Sequence, residues 1–236
     1  MEFDKIYKFI IQRCYDLNID ESHAVKHSMD VLKYSQKILI EEYKSNPKKI
    51  YNEKIIYTAS MLHDMCDNKY MDEKEGINDI KNFLNTLNYN ENEIEIITKI
   101  ISTMSYSKVK KNGFPNIPNY QDEYNIVRES DLLAGYDVER CIVYGMIGRD
   151  FDYIDSFYAT KELYEKRMAK HIDDKLITFE YALKEAKKLD KENKERLIEI
   201  ESMINNIPIN ENNNIKDKEN EIINEEMYKN INNLYY

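Results

Sequence analysis

The chain has 236 residues, 42% of them hydrophobic, which is enough for a substantial core in one domain, or in one domain with an extension. Charged residues make up 33% of the chain, and no apolar run approaches the roughly 20 residues of a membrane-spanning helix, which excludes a membrane protein. The net charge of −10 argues against binding nucleic acid or an acidic membrane, because both require a basic surface.

The low content of turn-forming residues points to a helical fold. Five Gly and four Pro are too few for the tight turns of an all-β protein, and no Gly-rich phosphate loop occurs. Hydrophobic residues recur with a helical period, so we predict an all-α helical bundle. Cys14, Cys66 and Cys141 form no Cys-x-x-Cys pair and are typical of reduced thiols. The first residues lack a signal-peptide pattern, and we expect a cytoplasmic protein.

In chain order, breakers such as Ser45-Asn46-Pro47 separate the helical stretches. We expect a helical domain over residues 1–204 and an Asn-rich polar extension over 205–236, with one short helix around 217–234. The extension is either a loosely attached tail or a segment that docks a partner or covers a site. The predicted helices of the domain are 3–18, 21–43, 52–66, 72–88, 91–106, 121–134, 137–148, 155–171 and 174–204.

Two of the predicted helices carry a histidine next to apolar residues. His27 shares one face of the second helix with Val31 and Ile38, and it is either a core histidine or a ligand. His63 and Asp64 end the third helix, where side chains only about 100° apart can converge on one point. A buried hydrogen-bonded His–Asp pair is the alternative interpretation there.

Asp131 is an acidic residue in an apolar stripe. It continues the face of Tyr124 and Val127, and an ionised carboxylate is almost never buried without a positive partner. The nearest basic residue, Arg128, points to another part of the helix. A metal ion is therefore a candidate partner for Asp131.

Two imidazoles and two carboxylates then lie on inward faces of three predicted helices, which is how helix bundles build metal sites. Mixed nitrogen and oxygen ligation suits Mn²⁺ first, or Mg²⁺, Fe²⁺ or Ni²⁺, better than a structural zinc. Four protein ligands leave room for water and a substrate oxygen. The other open interpretation is a metal-free bundle in which these residues are ordinary buried pairs.

The order of a lone His27, a His63-Asp64 doublet and a distant Asp131 resembles the signature of the HD-domain metal-dependent phosphohydrolases. The similarity covers roughly residues 3–200 and is greatest to the small HD proteins linked to nucleoside triphosphate pyrophosphohydrolysis. The stretches that resemble their motifs are Ser22–Val31, Leu62–Tyr70, Ile100–Lys108 and Leu163–Lys166. The chain departs from the pattern at Arg167, where the family has Leu. It also departs at Leu132, where the family has a basic residue, and at Ala134, where the family has an acidic residue.

The resemblance implies a metal-dependent hydrolase that converts a (d)NTP to a (d)NMP and pyrophosphate. One divalent ion would be held by His27, His63, Asp64 and Asp131, since the additional histidines of dinuclear relatives are missing. Asp67 would orient or deprotonate the attacking water, or else it satisfies backbone groups at a helix end.

The resemblance also suggests phosphate contacts. Lys69 and Lys166 are the preferred candidates, and Lys108 either binds phosphate or stabilises a helix C-terminus. Ser105 could bond a phosphate or cap its own helix, and His23 could reach the cleft or support a ligand. The fourth histidine, beside Lys170, is expected to be solvated.

The partners expected from these features are a small phosphate substrate, most simply a nucleotide, with no nucleic acid and no membrane, and the protein is a monomer or a homodimer. Two alternative functions remain open. One is a 5′-nucleotidase or another HD phosphomonoesterase or phosphodiesterase, and the other is an HD protein that binds nucleotide without turnover.

Overall fold

All regular secondary structure in the part of the chain that the computed structural model describes, residues 2–20 and 25–206, is helical. This confirms the all-α prediction. One 3₁₀ turn, Met168–Lys170, lies between the last two helices. The helices are α1 Phe3–Asp16, α2 Val25–Ser45, α3 Glu53–Leu62, α4 Glu73–Asn85, α5 Glu91–Thr103, α6 Tyr106–Asn112, α7 Gln121–Ala134, α8 Val138–Gly148, α9 Tyr153–Lys166 and α10 Glu180–Asn205.

Several of these helices begin at a side chain that accepts hydrogen bonds from the first turn. Asn52 caps α3, Asp72 caps α4 and Asp152 caps α9 through backbone N–H groups that have no partner inside the helix. At the start of α5, Asn90 and Glu93 form a reciprocal capping box. Such caps each contribute about 1 kcal/mol and fix where the helix begins.

The core is built around α2, α3 and α7, which pack against one another. Ile38 of α2, Ile55 of α3 and Val127 of α7 have no exposed surface, and burying such a side chain stabilises the fold by about 1.5–3 kcal/mol. Helix α5 covers α3, while α8 and α9 form a second tightly packed pair. The crossing of the three central helices brings residues that are far apart in sequence to one place.

The structure corrects several predicted helix boundaries. The helix predicted over 155–171 ends at Lys166, where Arg167 leaves helical geometry with φ −124° and ψ −65°. The helix predicted over 174–204 begins only at Glu180. The cause is a long-range tie, because Glu129 of α7 accepts hydrogen bonds from the Thr178 hydroxyl at 2.6 Å and from the Phe179 backbone N–H at 3.0 Å.

Two further differences concern the neighbourhood of the predicted site. The third predicted helix, 52–66, ends at Leu62 and is followed by hydrogen-bonded turns. The helix predicted over 91–106 ends at Thr103, and the short α6, which the sequence did not reveal, begins after Ser105.

Residues 207–236, and with them the short helix proposed around 217–234, lie outside the described residues. No helix within the described ranges combines the length and the apolar character needed to cross a bilayer. The three cysteines are free thiols.

Candidate metal centre

Four side chains predicted as ligands meet where α2, the end of α3 and α7 come together. One ligand atom each of His27, His63 and Asp131 lies within 4.8 Å of the others, and this group can hold a metal ion. Oδ2 of Asp64 is 3.6 Å from Nε2 of His27 and 3.2 Å from Nε2 of His63. Both imidazoles are buried and the carboxylates largely so.

The helical stripes seen in the sequence account for this convergence. His27 is buried on the same face of α2 as Val31 and Ile38, and Asp131 follows the fully buried Tyr124 and Val127 on α7. Since α2 and α7 pack along these faces, Nε2 of His27 comes within 3.2 Å of Oδ1 of Asp131, although 104 residues separate them in the chain.

His63 has the geometry of a histidine prepared for a cation. Its Nδ1–H donates to the backbone carbonyl of Ser60 at 2.9 Å, which fixes the ring and directs Nε2 toward the carboxylates. Nε2 is buried and makes no hydrogen bond of good geometry within the described residues. Leaving such an atom unsatisfied costs about 1–3 kcal/mol, and a bound divalent ion removes that cost. Two imidazole nitrogens with carboxylate oxygens therefore fit a divalent metal.

The electrostatics of the group point the same way. Burial alone would raise the pKa of Asp131, but the hydrogen bond from His27 and the nearby charge of His63 hold that pKa well below its usual range. Burial works to lower the pKa of His63, yet Asp64 and Asp131 outweigh it and raise the pKa well above its ordinary value. Burial lowers the pKa of His27 despite its bond to Asp131. Without a metal, His63 therefore carries a proton on the nitrogen at which a metal cation would bind.

Arg128 is engaged away from Asp131, as the sequence indicated. Its guanidinium donates to the backbone carbonyl of Leu176 and lies 3.3 Å from Oε1 of Glu129. It also covers the ring of Phe114 at 4.7 Å. Without a metal, the positive partner of Asp131 is protonated His63, and His27 donates a hydrogen bond to the same carboxylate.

Asp67 lies on the turn after the His63-Asp64 doublet and is partly buried. Its Oδ1 accepts a hydrogen bond from the backbone N–H of Lys69 at 2.9 Å, which is the helix-end role considered above. Its part in activating water remains a prediction, and the hydrogen bond to Lys69 holds the carboxylate in a defined orientation.

The predicted substrate-binding residues lie outside the metal-ligand group. Lys108 pairs with Glu73 and Lys166 with Glu162, so both ammonium groups already have a carboxylate partner. Lys69 is exposed, with its Nζ 5.6 Å from the centre of the Tyr144 ring. Ser105 precedes α6 but makes no capping bond, and its Oγ is 3.4 Å from that of Ser107. His23 falls outside the described residues.

His171 is the residue that sequence reasoning missed. It was expected to be solvated, but only 2% of its surface is exposed, and its ring lies between those of Tyr106 and Tyr136. Burial and the neighbouring charge of Arg167 lower the pKa of His171 to about 3, so the ring is neutral. The adjoining Lys170 is exposed, and nothing in the local pattern signals that the next side chain turns inward.

Comparison of the chain with protein-family models, with curated proteins and with solved structures gives no match in any of the three.

Proposed function

We propose that the protein is a metal-dependent phosphohydrolase of the HD type that cleaves nucleotides, most simply a (d)NTP to a (d)NMP and pyrophosphate. The observation that carries this proposal is the buried convergence of His27, His63 and Asp131, with Asp64 beside both imidazoles. Nitrogen and oxygen ligands without a thiolate favour Mn²⁺, and Mg²⁺, Fe²⁺ and Ni²⁺ are the other metals of this chemistry.

The metal chemistry in this proposal depends on four side chains. His27, His63, Asp64 and Asp131 would hold one divalent ion, which supplies positive charge for phosphoryl oxygens and increases the acidity of a water molecule. The hydrogen bond from His63 to the Ser60 carbonyl keeps the imidazole oriented, and the low pKa of Asp131 keeps its carboxylate ionised over the working range. This is the only such group of candidate ligands within the described ranges, in keeping with a single ion.

Asp67 would supply the base. In an in-line hydrolysis the water oxygen attacks phosphorus, and its proton passes to the carboxylate. The bond from phosphorus to the leaving oxygen breaks, and its electron pair departs with pyrophosphate. Asp67 suits this role because it follows the metal-ligand doublet by three residues and is held by the backbone N–H of Lys69. Lys69 and Lys166 are the proposed contacts to phosphate oxygens.

The test combines metal analysis with product analysis. Purified wild type, His63→Ala and Asp67→Asn are compared for bound metal and for hydrolysis of a panel of (d)NTP, (d)NMP and cyclic nucleotides with Mn²⁺. Asp30→Ala is the control, because this carboxylate on α2 pairs with Lys26 and lies outside the ligand group. We expect about one ion per chain in wild type, Asp67→Asn and Asp30→Ala, and its loss in His63→Ala.

The rates and products separate the alternatives. Wild type and Asp30→Ala should release monophosphate and pyrophosphate, whereas Asp67→Asn should be slower by about 10²–10⁴-fold. Release of nucleoside and phosphate would identify a 5′-nucleotidase instead. Nucleotide binding without any turnover would identify a non-catalytic protein, and unchanged metal content in His63→Ala would overturn the metal site itself.

A further inference from the structure

His171 is a buried imidazole whose two nitrogens lack partners. Only 2% of the residue is exposed, and neither Nδ1 nor Nε2 makes a hydrogen bond within the part of the chain that the structure describes. Neither flanking tyrosine hydroxyl bonds to the imidazole, since that of Tyr136 donates to the Met168 carbonyl at 2.9 Å and that of Tyr106 accepts from Lys110 Nζ at 3.5 Å. Buried polar atoms are nearly always satisfied, so this ring is suited to a ligand.

A guanidinium without an acidic partner lies in the same place. Arg167 is half-buried and stacks over the ring of Tyr106 at 4.5 Å, the ring that also contacts His171 at 5.7 Å. No carboxylate among the described residues pairs with Arg167, whereas the adjacent Lys166 pairs with Glu162. A guanidinium held by an aromatic face and free of carboxylates is typical of a site for an anion.

Three charged residues influence the pKa of His171. Arg167 and Arg128 act on it as cations and Asp131 as an anion. Arg128 is committed to Glu129 and to a backbone carbonyl, and Asp131 belongs to the metal-ligand group. When a cation neutralises Asp131, the uncompensated charge beside His171 is that of Arg167. His171 contacts the ring of Tyr136, which lies just beyond the C-terminal end of α7, the helix that carries Asp131.

We infer that Arg167 and His171 form an anion subsite, which binds a phosphate group of the substrate other than the one attacked at the metal centre. The inference rests on the proposed function and makes it more specific. A neutral imidazole offers one N–H donor and a guanidinium offers a fork of donors with full charge, which together match the acceptor oxygens of phosphate. A second phosphate site favours substrates with a chain of phosphates over monophosphates.

The test measures binding of inorganic pyrophosphate to metal-free protein by titration calorimetry, so that chelation of metal by the probe plays no part. Wild type is compared with Arg167→Gln, His171→Gln and the control Lys170→Gln, which removes a neighbouring exposed charge. A charge-assisted hydrogen bond corresponds to about a 10–100-fold change in affinity, which we expect for Arg167→Gln. For His171→Gln we expect about 2–10-fold, and for Lys170→Gln less than about 2-fold.

A spectroscopic measurement protects the test against misfolding of the His171 variant. In wild type labelled with ¹⁵N at histidine, the ring nitrogens of His171 should shift on addition of pyrophosphate. If those signals do not move, or if Arg167→Gln binds pyrophosphate as tightly as wild type, the subsite does not exist. Inorganic phosphate with Mn²⁺-loaded protein gives a second titration in which the same order of variants is expected.

The outcome is distinguishable from failure of the proposed function. If wild type hydrolyses no nucleotide but Arg167→Gln still weakens pyrophosphate binding, the proposed reaction is wrong and the subsite stands. If wild type hydrolyses a triphosphate and Arg167→Gln leaves its KM and the pyrophosphate affinity unchanged, the reaction stands and the subsite is wrong.

Discussion

His63 shows how one side chain is prepared for two competing occupants. Its Nδ1–H is fixed by the Ser60 carbonyl, and its Nε2 lies 3.2 Å from Asp64 Oδ2 and 3.5 Å from Asp131 Oδ1. The two carboxylates raise the pKa of His63, so a proton stabilises the metal-free group. A metal ion would bind through the lone pair of this same nitrogen, which must first lose its proton. The proton and the metal therefore exclude each other.

This competition predicts proton release when the metal binds. At pH 7 His63 carries a proton because its pKa is raised, His27 is neutral because its pKa is lowered, and Asp131 is ionised because its pKa is lowered. Binding of Mn²⁺ should thus release about one proton, and affinity should fall about tenfold for each pH unit below the raised pKa of His63. The number of protons is measured by titration calorimetry in two buffers with different heats of ionisation. A binding heat that is independent of the buffer would contradict the assignment.

At this scale the convergence of the candidate ligands could be predicted from sequence, and the burial of His171 could not. The period of α2 and α7 places His27 and Asp131 on buried faces, so inward direction is encoded locally. Their meeting requires only that two apolar faces pack together. His171 follows a 3₁₀ turn beside exposed Lys170, and its burial comes from Tyr106 and Tyr136, which lie 65 and 35 residues earlier in the numbering. No periodic pattern records such a contact.

At the scale of elements, the α8–α9 pair depends on one close approach. A side-chain carbon added at Gly145 would lie 2.8 Å from the Ser156 hydroxyl oxygen and 2.9 Å from its Cβ, with Ser156 fully buried. Those distances are shorter than packed side chains adopt, so the absence of a side chain at Gly145 permits α9 to lie against α8.

Gly145→Ala is therefore expected to destabilise the protein. Alanine is favoured over glycine in a helix by about 1 kcal/mol. Overpacking a buried contact costs about 1–3 kcal/mol, and the severity of this one leads us to expect a net loss of about 1–2 kcal/mol in the free energy of unfolding. Urea unfolding of wild type, Gly145→Ala and Val143→Ala measures it, since Val143 is exposed on the same helix and its change should stay within about 0.5 kcal/mol. A Gly145→Ala variant as stable as wild type would mean that the two helices separate without cost.

Helix existence was easier to predict than helix ends, and the reason is visible at α10. The periodic pattern continues back to residue 174, but Glu129 and Arg128 of α7 bind Phe179, Thr178 and the Leu176 carbonyl, holding that segment in a non-helical path. Partners about 50 residues away decide the boundary, and a local pattern cannot register them. The short α6 was not predicted for a different reason. Its seven residues carry too few apolar positions to show a helical period.

At the scale of the whole molecule, the distribution of charge is more important for substrate binding than the net charge. The chain carries a net charge of −10, yet the proposed substrate is an anion. Among the described residues many acidic side chains pair with lysines on the same helix, such as Asp4 with Lys8 and Asp190 with Lys194. A divalent ion in the ligand group would offset the charges of Asp64 and Asp131, so that Arg167 would leave its part of the proposed site locally positive, and local charge governs binding at short range.

The metal should also act as a cross-link for the fold as a whole. Its proposed ligands lie on α2, on the turn after α3 and on α7, and the unfolded chain has no comparable site. At a free Mn²⁺ concentration 100 times Kd the ion stabilises the folded state by about 2.7 kcal/mol. For a chain of this size each kcal/mol corresponds to about 2–4 °C, so Tm should rise by about 5–10 °C.

Thermal unfolding in excess EDTA and in excess Mn²⁺ measures this shift in wild type and in His63→Ala. The variant lacks one imidazole ligand and should show the same Tm under both conditions, to within about 1 °C. Asp30→Ala keeps all four ligands and should shift like wild type, which separates the loss of a ligand from the loss of any carboxylate on the central helices. An equal Tm shift in His63→Ala would mean that the ion binds at another site. A metal held by His27, His63 and Asp131 cannot stabilise the three helices once the nitrogen between the two carboxylates is removed.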